Sequence, residues 1–375
     1  MNPMVRRIGL VVLALAAVIG VQFAASALFT AYIIRVLAVC TINVMLAVAL
    51  NLVNGTTGQF SIGHAGFMAV GAYASSIASV ALDRPVHAVL AGTPGDALTL
   101  VCAVIAGVLA AGVAGVLVGV PSLRLRGDYL AIVTLGFGEI IRISIESTPA
   151  IGGSQGYPLG VQSIPAYASL AWILGGAVLA VALTWNLTYS SHGRALAAIR
   201  EDEIAAEAVG VDTTRYKVLA FAVSAMITGF AGALYAHDAT GGQHIDPGAF
   251  RLDRSVDMLV MIIFGGLGSI TGAVIGGFFV GILLELLKEL PNLLGGTGTA
   301  AQLLRENAGN IRLIVYALAL ILLMLLRPQG LLGTREFRLS GLLGRRGASK
   351  SAKTDAPDGS ADNSSTKSTE GGSDQ

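Results

Sequence analysis

Apolar runs of membrane-crossing length recur along this chain, separated by short polar turns, and that recurrence decides what it can fold into. We read ten such segments, at about 8–29, 33–53, 62–82, 97–120, 128–146, 169–188, 217–237, 256–268, 270–288 and 311–327. A bilayer core needs about 20 predominantly apolar residues in a helix, and most of these runs supply them. The composition agrees: 54% of the 375 residues are hydrophobic, mean hydropathy is +0.73 and 13% are charged, against about 25% charged in a soluble domain. The expectation is an all-α polytopic membrane protein with about ten transmembrane segments, including broken or re-entrant helices. The eighth run is too short to span upright, which predicts a half-helix or re-entrant turn. Arg6 and Arg7 precede the first run in the manner of a signal peptide, but the run continues to about Phe29 with no cleavage site, so it reads as a first span. A membrane domain is expected over 1–333, and a disordered polar tail over 334–375. From about Gly347 onward the tail has no apolar residue larger than alanine or proline, too little to fold.

Basic residues set the orientation. With the N-terminus inside, Arg6, Arg7, Arg124, Arg126, Arg194, Arg200, Arg215, Arg327, Arg335, Arg338, Arg345 and Arg346 are cytoplasmic, while Arg84, Arg251, Arg254, Lys288 and Arg305 fall outside. Both termini and the loop of residues 189–216 are therefore expected in the cytoplasm. Net charge is +1, so no basic surplus points to nucleic acid. Cys40 and Cys102 lie inside apolar runs and read as small packing residues rather than a disulfide.

Small residues form columns: Gly107, Ala111, Gly115 and Gly119; Gly268, Gly272 and Gly276; and Gly277 with Gly281. Such columns let helix backbones approach closely in lipid. Two stretches interrupt the apolar pattern with glycine and polar residues, 51–66 and 264–273, and they echo each other. Gly58, Ser61, Ile62 and Ala65 match Gly266, Ser269, Ile270 and Ala273 in spacing. Paired interruptions in two halves of a membrane chain point to a transport pathway; the alternative is a pair of interfacial loops. Candidate pathway residues are Asn51, Asn54, Gln59, Ser61, His64, Glu139 and Ser269. Asn43 and the other isolated membrane asparagines serve equally well as helix–helix hydrogen bonders. Asp128, Glu139, Arg142 and Glu146 share the fifth segment, where Glu139 and Arg142 pair on one helix face, either beside a pathway or as a structural ion pair.

The loop of residues 189–216 contains a charged, helix-forming insert at 193–210. Asp202 is placed to cap a short helix and Gly210 to end it in the left-handed conformation. Between them Ile204, Ala205, Ala208 and Val209 fall on one side, with Glu203 and Glu207 on the other. An apolar stripe with a charged edge suits docking onto another protein. No Gly-Lys pair exists, so there is no phosphate-cradling loop. The five histidines, His64, His87, His192, His237 and His244, have no ligand spacing. Ser154, in Gly153-Ser154-Gln155-Gly156, reads as a turn residue.

Three stretches carry a resemblance. The sequence from Leu50-Asn51-Leu52-Val53-Asn54-Gly55 through Gly58-Gln59-Phe60-Ser61-Ile62-Gly63-His64-Ala65-Gly66-Phe67 resembles LivM- and LivH-type permeases, membrane subunits of ATP-binding-cassette importers for branched-chain amino acids. The run of residues 123–140, beginning Leu123-Arg124-Leu125-Arg126-Gly127-Asp128-Tyr129, is similar to the LivM branch in particular. Residues 193–210 resemble the family's cytoplasmic coupling segment. The resemblance covers about 35–333. The general importer pattern has Glu-Ala-Ala, three residues, then Gly; here Ile204-Ala205-Ala206 precedes Gly210 and Glu203 stands one place early.

The resemblance implies a multi-pass permease of a bacterial inner membrane that moves leucine, isoleucine and valine without catalytic residues, metal or cofactor of its own. It implies as partners a second, LivH-like permease, two cytoplasmic ATPase subunits that bind the ATP, and a periplasmic or extracellular solute-binding protein, all assembled in the lipid bilayer. It assigns ATPase coupling to Arg200, Asp202, Glu203, Ile204, Ala205, Ala206, Glu207 and Gly210. Close relatives carry urea, short amides or aromatic acids, so those solutes are the alternative. Two rival classes are an ion- or proton-driven carrier, which needs no docking helix, and an intramembrane hydrolase built on Ser154.

Overall fold

The apolar runs fold as helices wherever the chain is described. The computed structural model describes residues 29–90, 92–125, 127–157, 164–240 and 244–293, with Gly20 and scattered positions between 314 and 331. Helix α1 (Ala31–Asn51) runs on into a π-helical turn, Leu52–Thr56; α2 is His64–Val89, α3 Thr93–Ser122, α4 Asp128–Glu146 and α5 Leu170–Thr188. The short pair α6 (Ser191–Glu201) and α7 (Glu203–Ala208) precedes α8 (Thr213–Ala236), α9 (Leu252–Gly265) and α10 (Ile270–Leu293). Among the described residues there is no strand, only isolated bridges between Tyr157 and Ile245 and between Ala168 and Asp238.

Among the described residues six helical stretches are long and apolar enough to cross a membrane: Ala31–Thr56, His64–Val89, Thr93–Ser122, Leu170–Thr188, Thr213–Ala236 and Ile270–Leu287. They correspond to the second, third, fourth, sixth, seventh and ninth predicted segments. The fifth forms α4, 19 residues long but carrying Asp128, Glu139, Arg142 and Glu146. The eighth forms α9, a helix of only 14 residues, as its short apolar run implied. The first segment, most of the tenth and the tail of residues 334–375 lie outside the described residues.

Packing follows the small-residue columns. Helices α2, α3 and α8 meet backbone to backbone: a Cβ on Gly71 would stand 2.3 Å from the Gly229 carbonyl oxygen, and one on Gly107 would stand 2.6 Å from that of Gly71. Any larger side chain would force the helices apart and forfeit the dispersion contacts that substitute for a hydrophobic drive in lipid. Further along the α3 column, Gly115 lies against Ala225 and Gly119 against Phe221. Helix α10 uses two columns for two neighbours. Gly272 and Gly276 face α9 at Gly265 and Met261, and Gly277 and Gly281 face α1 at Val44 and Cys40. Gly268, expected at the head of a column, instead lies in the turn before α10. Cys40 is buried and Cys102 half-buried, and neither forms a disulfide. From Ala38 onward α1 is apolar and almost wholly enclosed, the pattern of a helix buried on all sides. By contrast α3 leaves Leu109, Val113 and Leu117 exposed along one face.

Candidate functional site: two helix breaks and a surface helix pair

Residues 57–63 form the first break, between the π turn and α2. The chain leaves the helical ladder here, so its backbone groups need other partners. Asn54 supplies two at once: its Oδ1 accepts from the Ser61 N–H at 3.1 Å and its Nδ2 donates to the Ser61 carbonyl at 3.2 Å. Thr134 of α4 accepts the Ile62 N–H at 3.2 Å, and Ser255 of α9 accepts the Ala65 N–H at 3.1 Å. His64 joins the break to α8 and α1. Its Nε2 lies 2.8 Å from Ser224 Oγ, and the Ser224 hydroxyl donates to the Ala49 carbonyl. Ser224 can therefore only accept from the ring, which puts a proton on Nε2, while Nδ1 lies 3.3 Å from Ser61 Oγ. The ring is thus a bracket between helices, packed edge-on against Phe67 and Phe221.

Residues 266–269 form the second break, between α9 and α10. Gly266 (φ +113°) and Gly268 (φ +87°) adopt backbone conformations closed to most residues. The Gly272 N–H donates to Ser269 Oγ at 3.0 Å, capping the start of α10. The end of α1 and its π turn touch the second break: Asn51 Oδ1 accepts the Gly268 N–H at 2.9 Å, and Gly55 lies against Gly268. Asn51 Nδ2, Thr56 Oγ1 and Gln59 Oε1 are buried and have no hydrogen-bond partner among the described residues. Glu139 borders the same region from α4. It lines a small recess with Ile62, Ala65, Gly138, Phe250 and Ser255. Arg142 holds it at 2.8 Å and holds Glu146 at 2.6 Å. The structure thus gathers all seven predicted pathway residues around the two breaks.

The surface pair α6–α7 is built as its caps foretell. Ser190 accepts the Gly193 N–H at the start of α6. Asp202 Oδ1 accepts from Ile204 and Ala205 at 2.9 and 3.1 Å at the start of α7. Gly210 closes α7 with φ +89°, its N–H on the Glu207 carbonyl and that of Val211 on the Ala206 carbonyl. The charged edge turns onto the chain itself: Lys217 Nζ meets Glu203 at 2.6 Å and Thr213 donates to Glu207 at 2.6 Å. Ala206 is buried beneath, while Ile204 (69% exposed) and Val209 (79%) point away from the protein with Ala205 and Ala208. Arg200 also turns inward, toward the first break. Ser154 sits exposed in the one-turn 3-10 segment Gly153–Gln155.

The profile of the family described as branched-chain amino acid transport system / permease component matches residues 32–326. The chain belongs to this family. Among its relatives, the high-affinity branched-chain amino acid transport system permease protein LivM of Escherichia coli (strain K12) is 32% identical over 325 residues, 78% of this chain and 68% of the relative. LivM of Salmonella typhimurium is 31% identical over 322 residues, with the same coverage of 78% and 68%. The LivH permease of Escherichia coli (strain K12) is 30% identical over 189 residues, 50% of this chain and 53% of the relative. No solved structure matches the chain.

Several residues of this permease that build the site escaped the sequence reading. Thr134, Ser224 and Ser255 each bring a hydroxyl from a different helix to the first break. Lys217 anchors α7, and Arg254 donates to Asn43 of α1 at 2.7 Å. Small hydroxyls inside apolar runs are the available signal, but most such hydroxyls bond within their own helix, as Ser76 does to Ala72 and Thr228 to Ser224.

Proposed function

We propose that this chain is a membrane-spanning permease subunit of an ATP-binding-cassette importer that carries branched-chain amino acids across a bacterial inner membrane. In this reading α6–α7 lies in the cytoplasm and receives one of two separate ATPase subunits, which hold the ATP. A second, LivH-like permease pairs with this one, and an external solute-binding protein delivers the amino acid. Alongside family membership, the observation that carries the reading is α7 itself: a short, doubly capped helix whose apolar side is turned away from its own protein. Exposed aliphatic side chains on a rigid helix favour a partner that buries them.

The mechanism needs no reacting group in this chain. A transporter must offer different contacts to its solute in two states, and the ATPases supply the bias between them. Closure of the ATPases moves α7, whose Glu203–Lys217 pair passes the displacement to α8, and Ser224 of α8 reaches the first break through His64. Asn51 and Gln59, with buried polar atoms left unpartnered among the described residues, are the groups we assign to the pathway. Asn54, Ser61, His64 and Ser269 hold the backbone in place around them. Glu139, Arg142 and Glu146 lie on a half-exposed face of α4. Ionisable groups on a helix of membrane length avoid lipid, so this face is assigned to the second permease and the route between the two.

The test is uptake of radiolabelled leucine in a strain lacking the native permease, complemented with wild type or with the double substitution Ile204→Glu and Val209→Glu. Wild type should restore uptake and co-purify with an ATPase. The double variant should reach the membrane, lose the ATPase and fall at least tenfold in uptake. Undiminished uptake by the double variant, or wild-type uptake in vesicles free of ATP, would overturn the reading.

A further inference from the structure

We infer that Arg200 is a positioning residue that ties the surface helix pair to the seam where the two helix breaks meet, so that movement of α6 reaches the pathway backbone directly. This rests on the importer reading above. Arg200 stands in the last turn of α6, and its Nη1 donates to the Gly55 carbonyl at 2.8 Å, across 145 positions of sequence. Gly55 lies in the π turn at the end of α1, where carbonyls run out of helical N–H partners. A cation is the favoured partner at that negative helix end. The side chain also fills the space that two glycines leave open. A Cβ on Gly58 would stand 2.8 Å from Arg200 Cγ, and one on Gly268 would stand 2.9 Å from Arg200 Nη1. Gly58 belongs to the first break and Gly268 to the second, and Gly268 is itself bonded to Asn51. One arginine side chain therefore lies against the first break with its stem and against the second with its guanidinium.

The other side-chain polar contacts of the surface pair differ in kind. Glu203–Lys217 and Glu207–Thr213 bind α7 to the start of α8, its near neighbour in sequence. Arg200 approaches Glu201 only at 3.8 Å, with the Glu201 side chain 80% exposed, a contact worth little in water. Arginine suits the role because its planar, permanently charged head offers five donors in a fixed fork. It can keep hold of carbonyls on either side of a seam as they shift, which a lysine ammonium does less well.

The experiment uses the whole importer, reconstituted with its ATPases and binding protein, and reads leucine moved per ATP hydrolysed. Arg200→Met should lower that ratio at least tenfold while the ATPase co-purifies in its usual proportion, and Arg200→Lys should be intermediate. If Arg200→Met fails to accumulate in the membrane, the Lys variant decides by the same ratio. A ratio within twofold of wild type, or loss of the ATPase from Arg200→Met, would overturn the tie; in the second case Arg200 would belong to the docking face. A wild-type complex that binds no ATPase would instead remove the importer reading.

Discussion

Residues 57–63 and 266–269 both interrupt a helix inside the bundle. Each does so with a positive-φ glycine three residues before a serine, Gly58 then Ser61 and Gly266 then Ser269. Their supports differ. The first break is held largely by side chains, from Asn54 beside it and from Thr134, Ser255 and Arg200 far away in sequence. The second takes one bond from a remote side chain, Asn51 on the Gly268 N–H, and is otherwise held mainly by backbone. The Gly266 N–H returns to the Ile262 carbonyl, that of Leu331 reaches the Phe264 carbonyl, and Gly265 presses against Gly272 with no room for a methyl group. A break held by remote side chains feels the movement of every element that sends one. A break held by its own backbone moves as a block. The contrast suits a pathway in which one wall rearranges against a stiff one.

An added side chain should therefore harm the second break by overpacking, and a removed one should harm the first by stranding backbone groups. The largest effect is expected from Gly265→Ala, whose Cβ would stand 2.0 Å from the Gly272 carbonyl oxygen. Overpacking against backbone should cost about 3 kcal/mol or more, seen as a lowered melting temperature in detergent and loss of leucine uptake. Asn54→Leu comes next. It strands the Ser61 N–H and carbonyl in a buried site, at about 2–3 kcal/mol in all, and uptake should fall roughly tenfold. Ser269→Ala should matter least, since it removes one cap worth about 1 kcal/mol and should leave uptake within twofold. Uptake lost more completely in Ser269→Ala than in Asn54→Leu would reverse the assignment of the stiff and yielding walls.

Much of the architecture was legible in the sequence because lipid imposes simple rules. Length and hydropathy marked six helices of membrane length and the short α9, and glycine spacing marked which faces pack: Gly115 and Gly119 on α8, Gly277 and Gly281 on α1. Asp202 and Gly210 bounded α7 because capping is local chemistry. What stayed hidden were choices made in three dimensions. Nothing in the spacing of Glu203 and Glu207 tells that Lys217 and Thr213 fold back to meet them. An arginine at the end of a charged helix reads as a docking residue until Gly55 is seen within its reach. Likewise Thr134 and Ser224 look like any other hydroxyl in an apolar helix. Ser122, also in a largely apolar helix, bonds back only within that helix, to Val118 and Gly119.

The outward tip of α7 has a consequence for the cell as well as for transport. Ile204 stands uncovered on a helix of six residues, and Val209 at its C-cap; the helix is too short to hold its shape without its caps and the ties to α8. A copy made without companions presents a sticky, easily frayed handle to proteases and chaperones, which act on such loosely held segments first. In the proposed importer the lifetime of the chain should then follow the supply of whatever shields that handle, so that surplus copies are cleared and the subunits stay in proportion.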